Sequence, residues 1–186
     1  MRKLVLTTLQ SLDGAVDHPE KYFLPGPDGG SPTFDAEMHA NEAAIIGAQD
    51  AVILGRHMYE EWSEYWPGVP DEQFAKFINN VKKYVATSQP LSRDWPNTEA
   101  VSGPVDDFVR ALKAQPGRDI GIHGSITLAR SLLAARLVDE LQLVVAPSLG
   151  FPGRRLIDGS EFVLQLEPIS ARGTASGGLL LAYRVR

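Results

Sequence analysis

Residues 51–60, AVILGRHMYE, and residues 119–133, DIGIHGSITLARSLL, each carry an apolar strand into a glycine, a polar residue and then a helix. A strand ending in glycine lets the backbone turn tightly and lets a ligand approach the main chain. The helix behind it aims unpaired N–H groups and the positive end of its dipole at the same spot. Two such junctions predict two phosphate-sized anion sites, and Arg56 adds a fixed positive charge at the first. The pair favours a dinucleotide. The competing account is that Gly55 and Gly124 serve tight βα turns and nothing more.

On either side of these junctions, strands alternate with helices. Residues 3–9 (KLVLTTL) read as a buried strand, broken by the turn signal SLDG at 11–14. A proline- and glycine-rich loop follows over about 15–33, long enough to predict a lid or binding segment. Helices are expected over 34–49, 57–65, 71–81, 105–114 and 125–135, and strands over 51–54, 83–87, 119–123 and 137–145. Residues 95–101 read as a loop entering a short strand. Residues 162–172 and 178–186 read as an antiparallel pair joined by a glycine-rich turn. The alternation predicts a three-layer α/β/α fold, with a mostly parallel central sheet extended by a C-terminal antiparallel hairpin.

A chain of 186 residues without repeats or a linker suggests one domain over residues 1–186. Its net charge of −5, with no lysine or arginine run, argues against a nucleic-acid partner. The absence of cysteine excludes disulfides, a thiolate nucleophile and Cys-rich metal centres, and fits a reducing cytosol. Four dispersed histidines offer no metal-ligand spacing, so no metal is expected. No apolar run is long enough to cross a membrane, and no secretory leader is visible. A cytoplasmic protein acting on a small molecule is the expectation.

The usual dinucleotide fingerprint G-x-G-x-x-G after the first strand and the P-loop pattern are both missing. A third segment joins the two junctions instead. KYVATSQP, residues 83–90, ends a strand in Thr87 and Ser88, at the sheet edge where α/β ligands sit. Two hydroxyls beside an arginine suit a phosphomonoester such as the 2′-phosphate of NADP. They suit equally the capping of a turn.

The order SLDG, strand-GR-x-x-Y-E, strand-TSQP, strand-x-GS-x-x-L and LVDEL resembles the dihydrofolate reductase superfamily. Within it, the chain is most similar to the riboflavin-biosynthesis branch, the RibD C-terminal reductase domain and its stand-alone relatives. The resemblance spans nearly the whole chain and implies NADPH as cofactor. It implies that Arg56, following Gly55, faces the adenosine 2′-phosphate, with the adjoining His57 within reach of the phosphate. Thr87 and Ser88 then lie on the adenosine side, and Gly124, Ser125 and Ile126 meet the pyrophosphate. Asp13 and Gly14 lie beside the nicotinamide and substrate. Two positions depart from the pattern. Met58 replaces a usual threonine, and His123 stands where a first glycine is usual, crowding the loop unless its ring turns away.

The implied reaction is hydride transfer to a C=N or C=O carbon of a small heterocycle, for example one of the 5-amino-6-ribosylaminouracil type. Asp13 is the candidate to orient the substrate or relay a proton. Asp35 and Glu37 lie near the place where classical dihydrofolate reductases carry a pterin-binding acid. The aromatic residues Trp62, Tyr65 and Trp66 either wall a ring-shaped substrate or pack under a loop. A homodimer is expected from the resemblance. The alternative is a non-catalytic nucleotide-binding or interaction protein that reuses the fold, with classical dihydrofolate reduction as a third reading.

Overall fold

The computed structural model describes residues 1–25, 34–69, 71–159 and 162–186. Among the described residues eight strands form one sheet: β1 (Leu4–Gln10), β2 (Gln49–Gly55), β3 (Lys82–Ala86), β4 (Thr98–Val101), β5 (Asp119–His123), β6 (Glu140–Val145), β7 (Leu166–Gly173) and β8 (Leu179–Val185). The α-helices described are α1 (Ala36–Gly47), α2 (Arg56–Tyr65), α3 (Gln73–Asn80), α4 (Val105–Ala114) and α5 (Ile126–Ala134). Across the sheet the strands run β4-β3-β2-β5-β1-β6-β8-β7. All neighbours are parallel except that β8 runs antiparallel to both β6 and β7. The expected α/β architecture with a mostly parallel sheet and a terminal hairpin is therefore what the chain adopts.

Strands buried on both faces must be apolar at every position, which is why β2 and β5 read as continuous runs. Alternate residues then serve opposite cores. Ile53, Ile120 and Ile122 join Leu4 and Leu6 beneath α4 and α5, packed with Val109, Leu112 and Leu132. Val52 and Leu54 face the other way, onto Ile46 of α1, Tyr59 of α2, and Phe74 and Ile78 of α3. Each fully buried aliphatic or aromatic side chain of this kind contributes about 1.5–3 kcal/mol.

Most boundaries move by one or two residues, and three moves carry information. β2 begins at Gln49 rather than at 51, and Gln49 is 2% exposed. β6 begins at Glu140 rather than at 137: Leu137 and Val138 are buried, but Asp139 accepts the Leu4 N–H (2.7 Å) and pairs with Lys113. Thr87 lies just past β3, not within it. The first part of the long loop is packed down, with Ala15 and Tyr22 buried and a 3-10 turn at Pro19–Lys21. Its continuation through residues 26–33 lies outside the described residues.

One feature of the strand order positions the site. The chain builds outward from β1 to β2, β3 and β4, returns through α4, and inserts β5 between β2 and β1. Growth then continues on the far side of β1. Such a reversal opens a crevice at the carboxyl ends of the strands, where α/β sheets bind ligands.

Candidate active site

The strand order brings together segments far apart in the chain. Along the carboxyl edge the chain presents, in turn, Thr87 after β3, Gly55–Arg56 after β2, Gly124–Ser125 after β5 and the 11–14 turn after β1. At about 4.8 Å per strand, these four stations span about 14 Å, comparable to an extended dinucleotide.

At the first station Arg56 is the organiser. Its Nη1 donates to Thr87 Oγ1 (3.3 Å) and to the carbonyls of Gln89 (3.4 Å) and Pro90 (2.7 Å). Its Nε donates to Glu60 Oε1 (2.6 Å), one helical turn on. Nη2 has no partner among the described residues, so one face of the guanidinium stays available to an anion. Thr87 Oγ1 also accepts the Gln89 N–H (3.1 Å), so the hydroxyl shapes its own turn while touching Arg56. Ser88 is exposed beside it. His57 makes none of these contacts among the described residues: its side chain is 82% exposed and pairs with Glu61 at 3.3 Å.

The two glycine junctions are physically tied. The Gly55 N–H donates to Ser125 Oγ (3.0 Å), joining residues 70 apart in sequence. Gly55 has φ −76, which any residue adopts, so a strained turn does not explain this glycine. Gly124 differs, with φ +66 and an ideal Cβ that would lie 2.5 Å from Met58 Cε. Ser125 follows with φ 51 and is 8% exposed, its hydroxyl facing Gly55 rather than capping α5. Neither α2 nor α5 has a side-chain cap or an acidic residue in its first turn. By contrast, Asp35 caps α1, and Asp106 and Asp107 occupy the first turn of α4. Uncapped N–H groups on adjacent strands suit a diphosphate.

His123 does not crowd this loop. Its ring turns onto the α3 face of the sheet, packs edge-on against Phe74 (5.4 Å) and sets Nε2 2.8 Å from Gln49 Oε1. Complete burial pushes the imidazole down to about 4, so it is neutral at pH 7.

At the β1 end, Asp13 accepts from Ser11 Oγ (2.6 Å) and the Gly150 N–H (3.2 Å), and Arg155 Nη2 lies 3.4 Å away. The Ser11 hydrogen bond, then that of Gly150, holds the carboxyl below its usual range. Asp13 therefore remains ionised and clamps the turn to the 150–155 loop. Gly14 takes φ +90 to complete the turn. The same loop brings Arg154 Nη2 to Thr127 Oγ1 (3.3 Å) in the first turn of α5, a cation that sequence inspection overlooks.

The two acids beside α1 are occupied elsewhere. Asp35 accepts the N–H groups of Met38 (2.9 Å) and Ser176 (3.0 Å), while Glu37 accepts that of Ala175 (2.7 Å). Both bind the β7–β8 turn to the helix start, so neither is placed to hold a ring substrate. Desolvation would raise the Asp35 carboxyl, but the Met38 and Ser176 donors outweigh it and hold it well below the usual range.

A different acid on α1 faces inward. Thr7, Asn41, Glu42 and His123 border a cavity of about 20 Å³ between α1 and the sheet, with Leu9, Ile46 and Val144 as apolar walls. Burial, reinforced by Glu72, pushes the Glu42 carboxyl up to about 7. Its signal in the sequence is a carboxylate on the apolar stripe of Met38, Glu42, Ile45 and Ile46. Trp62, Tyr65 and Trp66 make no comparable wall. Trp62 and Trp66 pack edge-on or tilted against Phe74, at 5.4 and 5.0 Å, and Tyr65 lies against Trp66.

No described group of side chains has metal-binding spacing, and no helix among the described residues is long and apolar enough to cross a membrane.

Comparison with known proteins sets this geometry in a family. The model of the RibD C-terminal domain matches residues 2–180. The uncharacterized protein YyaP of Bacillus subtilis is 23% identical over 98% of this chain and 94% of its own length. A putative riboflavin biosynthesis protein from a Shewanella species superposes with TM-score 0.74 at 17% identity, covering 99% of both chains. A pyrimidine reductase-like protein from Corynebacterium diphtheriae gives 0.69 at 17% identity, over all of this chain and 92% of that one. The Thermotoga maritima diaminohydroxyphosphoribosylaminopyrimidine deaminase/5-amino-6-(5-phosphoribosylamino)uracil reductase gives 0.67 at 13% identity, and this chain spans 57% of its length. At such identities the solved structures speak for the fold, while the family match extends over almost every residue. The chain belongs to the RibD C-terminal domain family.

Proposed function

We propose that this protein is an NADPH-dependent reductase that transfers a hydride to a C=N or C=O carbon of a small heterocycle, of the 5-amino-6-ribosylaminouracil type. The observation that carries this is the four-station edge, where Arg56 and Thr87 touch and two uncapped helix starts lie on adjacent strands. Arg56, Thr87 and Ser88 hold the 2′-phosphate. The first turns of α2 and α5 receive the pyrophosphate on the backbone N–H groups around Gly55, Gly124, Ser125 and Ile126. When bound, NADPH supplies the hydride. Asp13 fixes the 11–14 turn against the 150–155 loop at the nicotinamide end, and Arg154 adds positive charge beside α5.

Asp13 stays ionised and engaged, which keeps alive a second reading: a nucleotide-binding protein without turnover. A homodimer fits the outer strand β7, where Leu166 and Ile169 are exposed on an open sheet edge.

Thermal melts with NADPH, NADH and no ligand test the cofactor. With NADPH at a hundred to a thousand times its dissociation constant, stabilisation of about 2.7–4 kcal/mol is expected. NADH should give clearly less, and Arg56→Ala should erase the difference. Equal shifts with both nucleotides, or none, would refute the assignment. NADPH oxidation on adding 5-amino-6-(5-phosphoribosylamino)uracil separates an enzyme from a binding protein.

A further inference from the structure

Residues 87–97, between β3 and β4, belong to no strand or helix, and residues 88–96 form no backbone–backbone hydrogen bond among the described residues. Backbone groups in such a segment need partners from elsewhere. Two side chains of α2 reach across to it. Arg56 donates to the Gln89 and Pro90 carbonyls, and Tyr59 takes the next hold along the chain. The Tyr59 hydroxyl donates to the Arg93 carbonyl (2.7 Å) and accepts the Arg93 N–H (2.8 Å), so its only proton is spent there. This hydroxyl gives Arg93 the pair of bonds that a neighbouring strand would otherwise supply.

Arg56 and Tyr59 stand three positions apart, so they share a face of α2 and grip the segment one after the other. Tyr59 is fully buried in the core that also holds Trp95, with Leu91 packed against it, so its hydroxyl is a fixed point. The Arg93 guanidinium reaches back to the Glu60 carbonyl (3.1 Å) and to Glu64 (2.8 Å), but that ion pair is exposed and contributes little. The hydroxyl is therefore the pin. It matters to Arg56 because Thr87, Gln89 and Pro90, which fix Nη1, all lie on the pinned segment, while Glu60 fixes Nε. Held at both nitrogens, the planar guanidinium keeps Nη2 aimed in one direction. An arginine ordered in advance loses less rotamer freedom on gripping a phosphate.

Resting on the NADPH assignment above, we infer that Tyr59 is a positioning residue for the 2′-phosphate: its hydroxyl holds the 87–93 segment against Arg56 and so sets the preference for NADP⁺ over NAD⁺. Being fully buried, Tyr59 acts through Arg56 and not by touching the nucleotide. Its ring centroid lies 5.9 Å from Arg56 Cζ, and Tyr59→Phe retains that ring. The variant therefore removes the two Arg93 bonds and leaves the packing of α2 in place.

Calorimetric titration with NADP⁺ and NAD⁺, which differ only in the 2′-phosphate, tests this on wild type, Tyr59→Phe, Arg56→Ala and the double variant. Tyr59→Phe should weaken NADP⁺ about five- to tenfold, the effect of one side chain no longer ordered in advance, and leave NAD⁺ within about twofold. In the Arg56→Ala background the same change should weaken NADP⁺ by less than about twofold, because a residue acting through Arg56 has nothing left to position. Equal weakening of both nucleotides, full NADP⁺ preference in Tyr59→Phe, or an undiminished effect without Arg56 would each overturn the inference while the cofactor assignment stands. A wild type that binds the two nucleotides equally would instead refute the assignment, and the inference with it. Hydrogen exchange on the free wild type needs no variant. The Arg93 amide should be protected about a hundredfold or more, and exchange at the rate of an open loop would overturn the pin.

Discussion

Replacing Glu42 by glutamine should stabilise the protein at alkaline pH and leave it unchanged in acid. The carboxyl is carried from 4.5 up to about 7, first by burial against the sheet and then by Glu72. The folded state thus keeps a proton that the unfolded chain releases. For an acid with a raised folded pKa, stability is greatest below the unfolded value and falls as pH rises, levelling off once the folded group has ionised. One pKa unit corresponds to about 1.4 kcal/mol, so the full displacement amounts to about 3 kcal/mol. The side chain keeps some contact with water, and that screening reduces the loss to about 1–2 kcal/mol. In a protein of this length, about 3–6 °C of melting temperature follows. Differential scanning fluorimetry of wild type and Glu42→Gln from pH 4 to 9 should give curves that coincide near pH 4.5 and separate through pH 5–7.5. His123 acts on the other limb, destabilising the fold below about pH 6.5, and acts equally in both proteins. Curves parallel at every pH would show that the carboxyl is not held protonated, and the reasoning from burial would fail.

Ser125→Ala should cost about 1–3 kcal/mol in urea denaturation, because the Gly55 N–H loses its acceptor and the φ of 51 stays occupied by a side chain. Ser125→Gly loses the same bond but relieves the backbone, so it should be the milder change by about 1 kcal/mol. Gly124→Ala should destabilise by about 1–2 kcal/mol through its φ of +66, with an added clash on Met58. Combining it with Met58→Ala should recover only the clash, which a double-mutant cycle would read. Asp35→Ala removes an N-cap and a bond to the β7–β8 turn, a loss of about 1–2 kcal/mol, with hydrogen exchange rising at Met38 and Ser176. An unchanged melt would contradict the clamp.

Local grammar carries the parts of this fold that local forces decide. The 105–114 helix has the same bounds in sequence and structure because everything that delimits it is adjacent. Two aspartates sit at the positive end of the dipole, Val109 and Leu112 share a face, and Pro116 follows. The same holds for residues 119–123, a run ended by the glycine at 124. The 137–145 strand starts late because apolarity and strand pairing are different demands. Leu137 and Val138 are buried, yet the chain is still turning there around Asp139, whose partners Leu4 and Lys113 come from other elements.

The carboxyl edge of the sheet is legible in the sequence as a set of residue types and not as a set of contacts. Arg56 and Thr87 meet because β3 lies beside β2, and Ser125 meets Gly55 because β5 is inserted next to β2. A serine before a helix ordinarily caps it. Here Gly124 and Ser125 both take left-handed backbone angles, which swing the hydroxyl across to the neighbouring junction instead. The acids of α1 separate along the same line. Asp35, Glu37 and Glu42 are chemically alike and lie within eight positions of one another. Two meet donors from a turn about 140 residues away, and one meets apolar wall, an unpaired threonine and a neutral imidazole. Helical period alone singles out Glu42, since it shares a stripe with Met38, Ile45 and Ile46. A charge on that stripe is a contradiction that solvation cannot resolve. Either the group gives up its charge or something polar must come to meet it, and with Glu72 as the charge beside it Glu42 does the first.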